Sequence, residues 1–177
     1  MIAGLYRGRP LVAPRGQATR PTSDRVREAL FSILGPVDGL RVLDLFAGSG
    51  ALAVEALSRG AAAATLVDSS AAAIIAVRRN LESLGVEAEV RRQDVFAFLR
   101  NARAQARDYD LVFLDPPYRR ASSLGARLAD ALEPVLSPGA RVVSESDRRA
   151  PLRLPLAGAA EPLGRLYGDT LISIYDT

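Results

Sequence analysis

Cysteine and histidine are both absent from this chain of 177 residues. Their absence excludes disulfides, thiolate nucleophiles, zinc sites built from Cys and His, and acid–base catalysis by imidazole. Any chemistry must therefore depend on carboxylates, hydroxyls, tyrosine, arginine and backbone groups. This restriction suits a reaction whose electrophile is already activated by a cofactor, and it leaves no expectation of a metal site.

Lysine and long apolar runs are also missing. All 23 basic residues are arginine, which together with the abundant alanine indicates biased codon usage and is not by itself evidence of RNA binding. No uncharged apolar run approaches the ~20 residues that span a bilayer, and the N-terminus has no signal-peptide core. We therefore expect a cytoplasmic protein without membrane contacts, built as one domain with a small extension.

The basic residues are concentrated at the N-terminus, although the net charge is only +3. A single acid, Asp24, accompanies six arginines in residues 1–27, namely Arg7, Arg9, Arg15, Arg20, Arg25 and Arg27. Such an arm can contact phosphate groups. A solvated surface segment would carry the same charges, so composition leaves both interpretations open.

The first 36 residues form a pattern of their own. Residues 2–13 resemble a β-hairpin that turns near Arg7 and Gly8. After a polar stretch, Thr22 or Ser23 can cap a helix with apolar residues at i, i+3, i+4, i+7 and i+8, which Gly35 and Pro36 then end. The pattern predicts an N-terminal extension, residues 1–36, made of a hairpin and a helix.

The remainder, residues 37–177, alternates strands and helices. We predict strands at 40–45, 63–68, 87–92, 109–114 and 139–144, and helices at about 50–59, 70–84, 95–106 and 122–135. Strands separated by helix-length segments indicate βαβ units and a parallel, doubly wound, Rossmann-like sheet. Two further strands, 161–167 and 170–176, are joined too tightly for a crossover and must pair antiparallel. The prediction is an α/β fold with a seven-stranded mixed sheet.

A glycine loop follows the first predicted strand. Residues 48–53 match the dinucleotide fingerprint G-x-G-x-x-A, in which glycines allow a sharp turn and close approach to a ligand. Asp68 ends the second strand, 18 positions after Gly50, where a carboxylate can accept hydrogen bonds from two ribose hydroxyls. NAD and S-adenosylmethionine would both satisfy this arrangement.

Three further acids, Asp44, Asp94 and Asp115, favour S-adenosylmethionine. Asp44, inside the first strand, would repel a pyrophosphate but hold the amino group of a methionine moiety. Asp94, after the third strand, can accept from an adenine amino group beside Val95 and Phe96, although it could equally be a helix cap. Acids thus end four strands of one sheet, and all of them point to the edge where such sheets bind ligands.

The fourth strand is followed by Asp115, Pro116, Pro117 and Tyr118. The prolines stiffen the backbone and remove two N–H donors, so that carbonyls remain to accept hydrogen bonds. The acid also accepts, and the tyrosine offers a flat face. Together they suit a planar group with an exocyclic NH2, such as a nucleobase, whereas each residue alone is also common in turns.

The motifs resemble those of class I S-adenosylmethionine-dependent methyltransferases that methylate amino groups. Within that class, residues 2–11, 19–34 and 167–175 are similar to the RsmD family, and the resemblance covers essentially the whole chain. It implies methyl transfer from S-adenosylmethionine to N2 of a guanine in small-subunit (16S) ribosomal RNA. The partner would be 16S rRNA or an assembling small subunit, and we expect a monomer.

The resemblance also implies roles for particular residues. Asp115 and the Pro116 carbonyl would accept hydrogen bonds from the target amine. Pro117 would follow them in the motif, and Tyr118 would stack on the base. Cofactor contacts would come from Asp44, Phe46, Ala47, Gly48, Ser49 and Gly50 at the methionine end, Asp68 and Ser69 at the ribose, and Asp94 and Val95 at the adenine. RNA contacts would come from Arg7, Arg9, Arg20 and Arg25.

Several alternatives remain open. The Asp-Pro-Pro-Tyr motif is shared with adenine N6 methyltransferases, so another nucleic-acid amino group, in RNA or DNA, is the main one. An NAD-dependent oxidoreductase would use the same glycine loop, but Asp44 and the missing histidine argue against it. A non-catalytic RNA-binding protein on this fold has no feature in its favour, because every expected catalytic position is filled.

Overall fold

The structure is a computed structural model that describes residues 1–14, 24–116 and 121–177. Its helices are α1 (Asp24–Leu34), α2 (Ala51–Ser58), α3 (Ala71–Leu84), α4 (Val95–Ala104) and α5 (Ala121–Leu132). Its strands are β1 (Arg41–Leu45), β2 (Ala63–Asp68), β3 (Glu89–Arg92), β4 (Tyr109–Leu114), β5 (Leu136–Asp147), β6 (Leu163–Tyr167) and β7 (Thr170–Asp176). Short 3-10 turns lie at Gly4–Tyr6 and Glu133–Val135.

All seven strands form one sheet in the order β3-β2-β1-β4-β5-β7-β6. Neighbours from β3 to β5 pair parallel, whereas β7 pairs antiparallel with both β5 and β6. The predicted mixed sheet with an antiparallel end is therefore confirmed. The strand order reverses between β1 and β4, and in such sheets the ligand crevice lies at this reversal, beyond the carboxyl ends of the strands.

Helices cover both faces of the sheet. One core joins apolar side chains of α1, α2 and α3 to one face, and a second joins those of α4 and α5 to the other. Successive strand residues point to opposite faces, so Leu43 and Leu45 lie in the second core while Val42 lies in the first. Asp44 shares the face of Val42 and therefore points toward α2. Among the described residues, no helix has the length and apolarity required to cross a bilayer.

The predicted elements agree with the structure to within a few residues, with one extension. β5 begins at Leu136 and runs to Asp147, longer at both ends than the predicted 139–144. α1 begins at Asp24, and its predicted cap, Thr22 or Ser23, lies outside the described residues.

The predicted hairpin over residues 2–13 is wrong where the structure describes it. Residues 1–14 contain no strand, only the turn at Gly4–Tyr6. The backbone of this segment bonds partly to itself, since the Gly8 N–H donates to the Met1 carbonyl at 2.9 Å, and partly to side chains of α2. The buried carboxylate of Glu55 accepts from the N–H groups of Ile2 at 2.9 Å and Ala3 at 3.0 Å.

Ser58 of α2 completes this attachment. Its hydroxyl accepts from the Tyr6 N–H at 3.0 Å and donates to the Ala3 carbonyl at 2.6 Å. Gly4 has φ +77°, and a Cβ there would lie 1.7 Å from the Ser58 carbonyl oxygen, so only glycine fits. The N-terminal segment is thus held against the helix that follows the glycine loop.

Candidate active site

The predicted acids lie in a row along the carboxyl edge of the sheet. In spatial order, Asp94 follows β3, Asp68 ends β2, Asp44 lies within β1, and Asp115 follows β4. The glycine loop, residues 46–50, connects β1 to α2 at the centre of this row. The structure therefore places the described cofactor and acceptor candidates at the predicted carboxyl edge, around the strand reversal.

The loop backbone is tightly constrained. Gly50 has φ +78°, and a Cβ there would lie 2.7 Å from a methyl group of Leu66, so glycine allows α2 to begin close against β2. Gly48 has φ +56° and, apart from the Phe46 carbonyl oxygen at 3.9 Å, open space around its missing Cβ. A ligand can therefore approach the backbone closely at Gly48.

Phe46 also has a positive φ, +66°. For a non-glycine residue this left-handed conformation costs ~1–3 kcal/mol and is concentrated at functional sites. No signal in the sequence predicted it. The Ala47 N–H helps to hold the strained turn by donating to the Val67 carbonyl at 3.1 Å.

Asp68 holds the loop from the neighbouring strand. Its carboxylate accepts from the Gly48 N–H at 3.0 Å and from the Ser70 N–H at 2.8 Å. A carboxylate has about four acceptor positions, so two remain for a ligand. Asp68 therefore both positions the loop and retains the capacity predicted for it.

Asp44 is buried, with 3% of its surface exposed. Its carboxylate accepts a hydrogen bond from the Ala53 N–H in the first turn of α2 at 3.2 Å. Burial raises the pKa of Asp44 to about 7, the Ala53 bond opposes this rise, and the charge of Asp68 adds to it. A buried acid that ionises with such difficulty favours a cationic ligand beside it.

Asp94 caps helix α4, which was one of the two roles predicted for it, the other being a contact with adenine. Its exposed carboxylate accepts from the Ala97 N–H at 3.0 Å, in the first turn of α4. Val95, the next residue, is buried in the core under α4. Contact of either residue with an adenine therefore remains a prediction.

Asp115 and Pro116 follow β4 directly, and Pro116 is buried. Burial raises the pKa of Asp115 well above its usual value, and the charges of Glu145 and Asp44 raise it further. The other two residues of the motif, Pro117 and Tyr118, lie outside the described residues.

Glu145 is a site residue that the sequence analysis missed. It lies in β5 with 4% of its surface exposed. The strand register pairs Asp44 with Phe113, and Phe113 with Val143. Side chains two residues apart share a face, so Asp115 and Glu145 lie on the face that carries Asp44. The sequence signal that could have found it is a single acid within a run of apolar and small residues in β5.

Asn80 of α3 was also missed, and it joins the N-terminal segment to the glycine loop. Its side chain is 1% exposed. The amide nitrogen donates to the carbonyls of Ser49 at 2.9 Å and Val12 at 3.0 Å, while the amide oxygen accepts from the Val12 N–H at 2.7 Å. One buried amide thus fixes Val12 of the N-terminal segment against Ser49 of the glycine loop.

The predicted RNA-binding arginines differ in their surroundings. Arg7, Arg9 and Arg25 are exposed, and Arg20 lies outside the described residues. Arg27, by contrast, is buried, and its guanidinium lies 3.8 Å from the Glu55 carboxylate. Arg27 therefore belongs to the attachment of the N-terminal segment.

A cavity of about 1010 Å³ lies at the opposite, amino edge of the sheet. Its charged lining residues include Arg107, which pairs with Glu89, and Arg41, which pairs with Asp108. This cavity is separated from the acid row by the length of the strands. The residues that the structure describes include no group of three Asp, Glu, His or Cys able to hold a metal ion.

Comparison with known proteins finds one family model over nearly the whole chain and relatives named as rRNA methyltransferases. The family model described as "Conserved hypothetical protein 95" matches residues 1–176. "Putative rRNA methyltransferase YlbH" of Bacillus subtilis is 39% identical over 179 residues, covering 99% of this chain and 97% of that protein. "Ribosomal RNA small subunit methyltransferase D" of Escherichia coli is 44% identical over 122 residues, or 68% of this chain and 60% of that protein.

Solved structures include the same architecture. The structure described as "Putative methyltransferase yhhF from Escherichia coli" superposes with a TM-score of 0.82 at 36% identity, covering 99% of this chain and 96% of that one. The similarity therefore extends over the N-terminal segment as well as the sheet.

Proposed function

We propose that this chain, which belongs to the Conserved hypothetical protein 95 (RsmD) family, transfers a methyl group from S-adenosylmethionine to the N2 amine of a guanine in 16S rRNA. The observation that carries the proposal is the position of Asp115 and Pro116. They lie beside Asp44 and the glycine loop, at the strand reversal of a methyltransferase fold.

The residues at the carboxyl edge of β1 and β2 fit S-adenosylmethionine. The buried Asp44 carboxylate suits the cationic amino group of its methionine moiety. The open space at Gly48 admits a ligand against the loop backbone, and Asp68 has acceptor positions left for ribose hydroxyls. Asp94 with Val95 would meet the adenine, and Ser69, which lies between Asp68 and α3, would contact the ribose.

When bound, S-adenosylmethionine supplies a methyl group that is already activated by its sulfonium. The remaining task of the protein is to position the acceptor and to stabilise the charge that develops on it. The ionised Asp115 and the Pro116 carbonyl would accept from the two N–H bonds of the amine. These bonds favour a pyramidal nitrogen and localise a lone pair that the ring otherwise delocalises.

The charge balance of the site supports this arrangement. Asp44 and Asp115 do not easily ionise together in a buried site beside the charge of Glu145 without a cation, as the raised pKa values of the two aspartates indicate. A cationic ligand beside Asp44 lowers the pKa of Asp44 and of Asp115, and so ionises the acceptor group. The amine's proton can leave to water afterwards, so the missing histidine is no obstacle.

The acceptor would be 16S rRNA or an assembling small subunit. A target base must leave its stack to reach Asp115, and stacking on Tyr118 would offset part of that cost. Arg7, Arg9, Arg20 and Arg25 would contact phosphates near the base. Every group with a proposed role lies in one chain, so we infer that a monomer is sufficient.

Transfer of labelled methyl from S-adenosylmethionine to several acceptors tests the proposal. Small subunits that lack their native methylation should be labelled, together with or in preference to naked 16S rRNA, while DNA and free guanosine should not. Label appearing chiefly in DNA would contradict the proposal and support the alternative of a DNA amino methyltransferase. Failure to bind S-adenosylmethionine would contradict both.

A further inference from the structure

Glu145 is the buried acid for which the proposed reaction has so far no use. It lies one residue beyond Ser144, which pairs with Leu114 in the register of β4 and β5. Asp115 is likewise one residue beyond Leu114, so the two acids lie side by side on one face at the carboxyl edge. Glu145 is 4% exposed, and its charge acts on Asp115 more strongly than that of Asp44 does.

Two adjacent carboxylates match one nucleobase edge better than the others. Guanine presents its N2 amine and its N1–H group next to each other, so this part of its edge, away from the O6 acceptor, carries only donors. A carboxylate is an acceptor only, and hydrogen bonds to charged groups are the strong ones. Adenine presents a donor at N6 beside an acceptor at N1, and an acceptor facing a carboxylate would be repelled.

We propose that Glu145 is a specificity-determining residue whose carboxylate accepts the N1–H of the target guanine while Asp115 accepts from its N2 amine. This inference rests on the proposed function. It explains why a motif shared with adenine methyltransferases would act on guanine here, because the residue that excludes adenine lies outside the motif, on the neighbouring strand.

Replacement of the target base tests the pairing directly. In 2,6-diaminopurine the N2 amine is retained, but N1 is an acceptor. Reconstituted small subunits would carry either guanosine or 2,6-diaminopurine at the methylated position, once that position has been mapped. The measured quantity is the ratio of kcat/KM for the two subunits, obtained with the wild type and with Glu145→Gln.

The wild type should prefer guanosine by about 10- to 150-fold, the range expected for a hydrogen bond to a charged group. In Glu145→Gln the amide nitrogen can donate to N1 of diaminopurine, so the preference should fall by at least about tenfold. A purely structural role would slow both substrates equally and leave the ratio unchanged, and that result would overturn the proposal.

Ser144→Ala is a matched control on the same strand. Its hydroxyl is buried on the opposite face and has no hydrogen-bond partner among the described residues. This variant should keep the wild-type ratio. If Glu145→Gln fails to fold, as judged by circular dichroism, the wild type alone decides: equal use of the two bases would overturn the proposal, and a marked preference would support it.

The experiment also separates this inference from the proposed function. If guanosine subunits yield no N2-methylguanosine with the wild type, the proposed function itself fails. If they yield it with the same base preference in both enzymes, the methyl transfer stands and only the role of Glu145 is refuted.

Discussion

Asp44 should make the binding of S-adenosylmethionine depend on pH in a range where few other side chains titrate. Its pKa is about 7 in the free protein, because burial penalises the charged carboxylate. Binding of the ligand's ammonium requires the ionised form. The pKa of Asp44 is raised in the free protein and lowered in the complex. The protein should therefore bind S-adenosylmethionine with full affinity above pH 7 and lose this affinity as pH falls.

The magnitude follows from the ionised fraction. With a pKa of about 7, Asp44 is ~60% ionised at pH 7.2 and ~3% ionised at pH 5.5, so affinity should fall about 20-fold between them. Both pH values lie below the pKa of ~8 of a free α-amino group, so the amino group of the ligand keeps its charge. With no histidine in the chain, the usual source of titration in this range is absent.

Isothermal titration calorimetry in buffers of different ionisation enthalpy measures both the affinity and the protons released. Near pH 6 the wild type should release up to about one proton per ligand from Asp44. Asp44→Asn should bind more weakly at pH 7.2 and lose most of the pH dependence, while any contribution of Asp115 persists. Equal affinity at pH 5.5 and 7.2 with no proton release would refute the reasoning.

Other variants test the remaining contacts. Asp44→Asn should also stabilise the ligand-free protein by ~1–3 kcal/mol at pH 8 but not at pH 4. The reason is that the raised pKa of Asp44 lowers the free energy of unfolding of the wild type as pH rises from ~4 to 7. Thermal melts at pH 4 and pH 8 measure this, and an equal shift of the melting temperature at both pH values would contradict it. Asn80→Ala should cost ~1–3 kcal/mol and weaken ligand binding, since three backbone groups lose their bonds to this buried amide. Asn80→Asp, which can keep only the bond from Val12 N–H, is its comparison, and unchanged melting and affinity would count against the link. Glu55→Ala should destabilise the protein by ~3–5 kcal/mol and raise amide hydrogen exchange in residues 2–6, whereas unchanged exchange there would show that the segment is held otherwise. Asp68→Ala should weaken S-adenosylmethionine binding by ~1–3 kcal/mol, and wild-type affinity would exclude its role at the ribose.

The sheet and the acid row could be predicted because both depend on local patterns. Apolar runs separated by helix-length segments require a parallel sheet, and the carboxyl ends of parallel strands meet at one edge. Asp44, Asp68, Asp94 and Asp115 each lie at or near such an end, so their positions followed without knowledge of any side-chain contact.

The N-terminal segment could not be predicted in the same way. Its pattern is compatible with a hairpin, and Met1 does bond to Gly8 and Arg9, but no strand forms. The segment is also held by Glu55 and Ser58, about fifty residues further along the chain. Glu145 and Asn80 were missed for a related reason. Glu145 becomes a neighbour of Asp115 only through the register of β4 and β5, and Asn80 meets Ser49 only when α3 packs on the sheet. The positive φ of Phe46 has no signature in its residue type.

The methylated nucleoside itself tests the central claim most directly. Unmethylated small subunits would be incubated with S-adenosylmethionine and either the wild type or Asp115→Ala, and the rRNA nucleosides would then be quantified by mass spectrometry. We expect N2-methylguanosine, about one per subunit, from the wild type, and almost none from an Asp115→Ala enzyme that still binds S-adenosylmethionine. N6-methyladenosine in its place, or near wild-type yield from the variant, would contradict the proposed reaction and the role of Asp115.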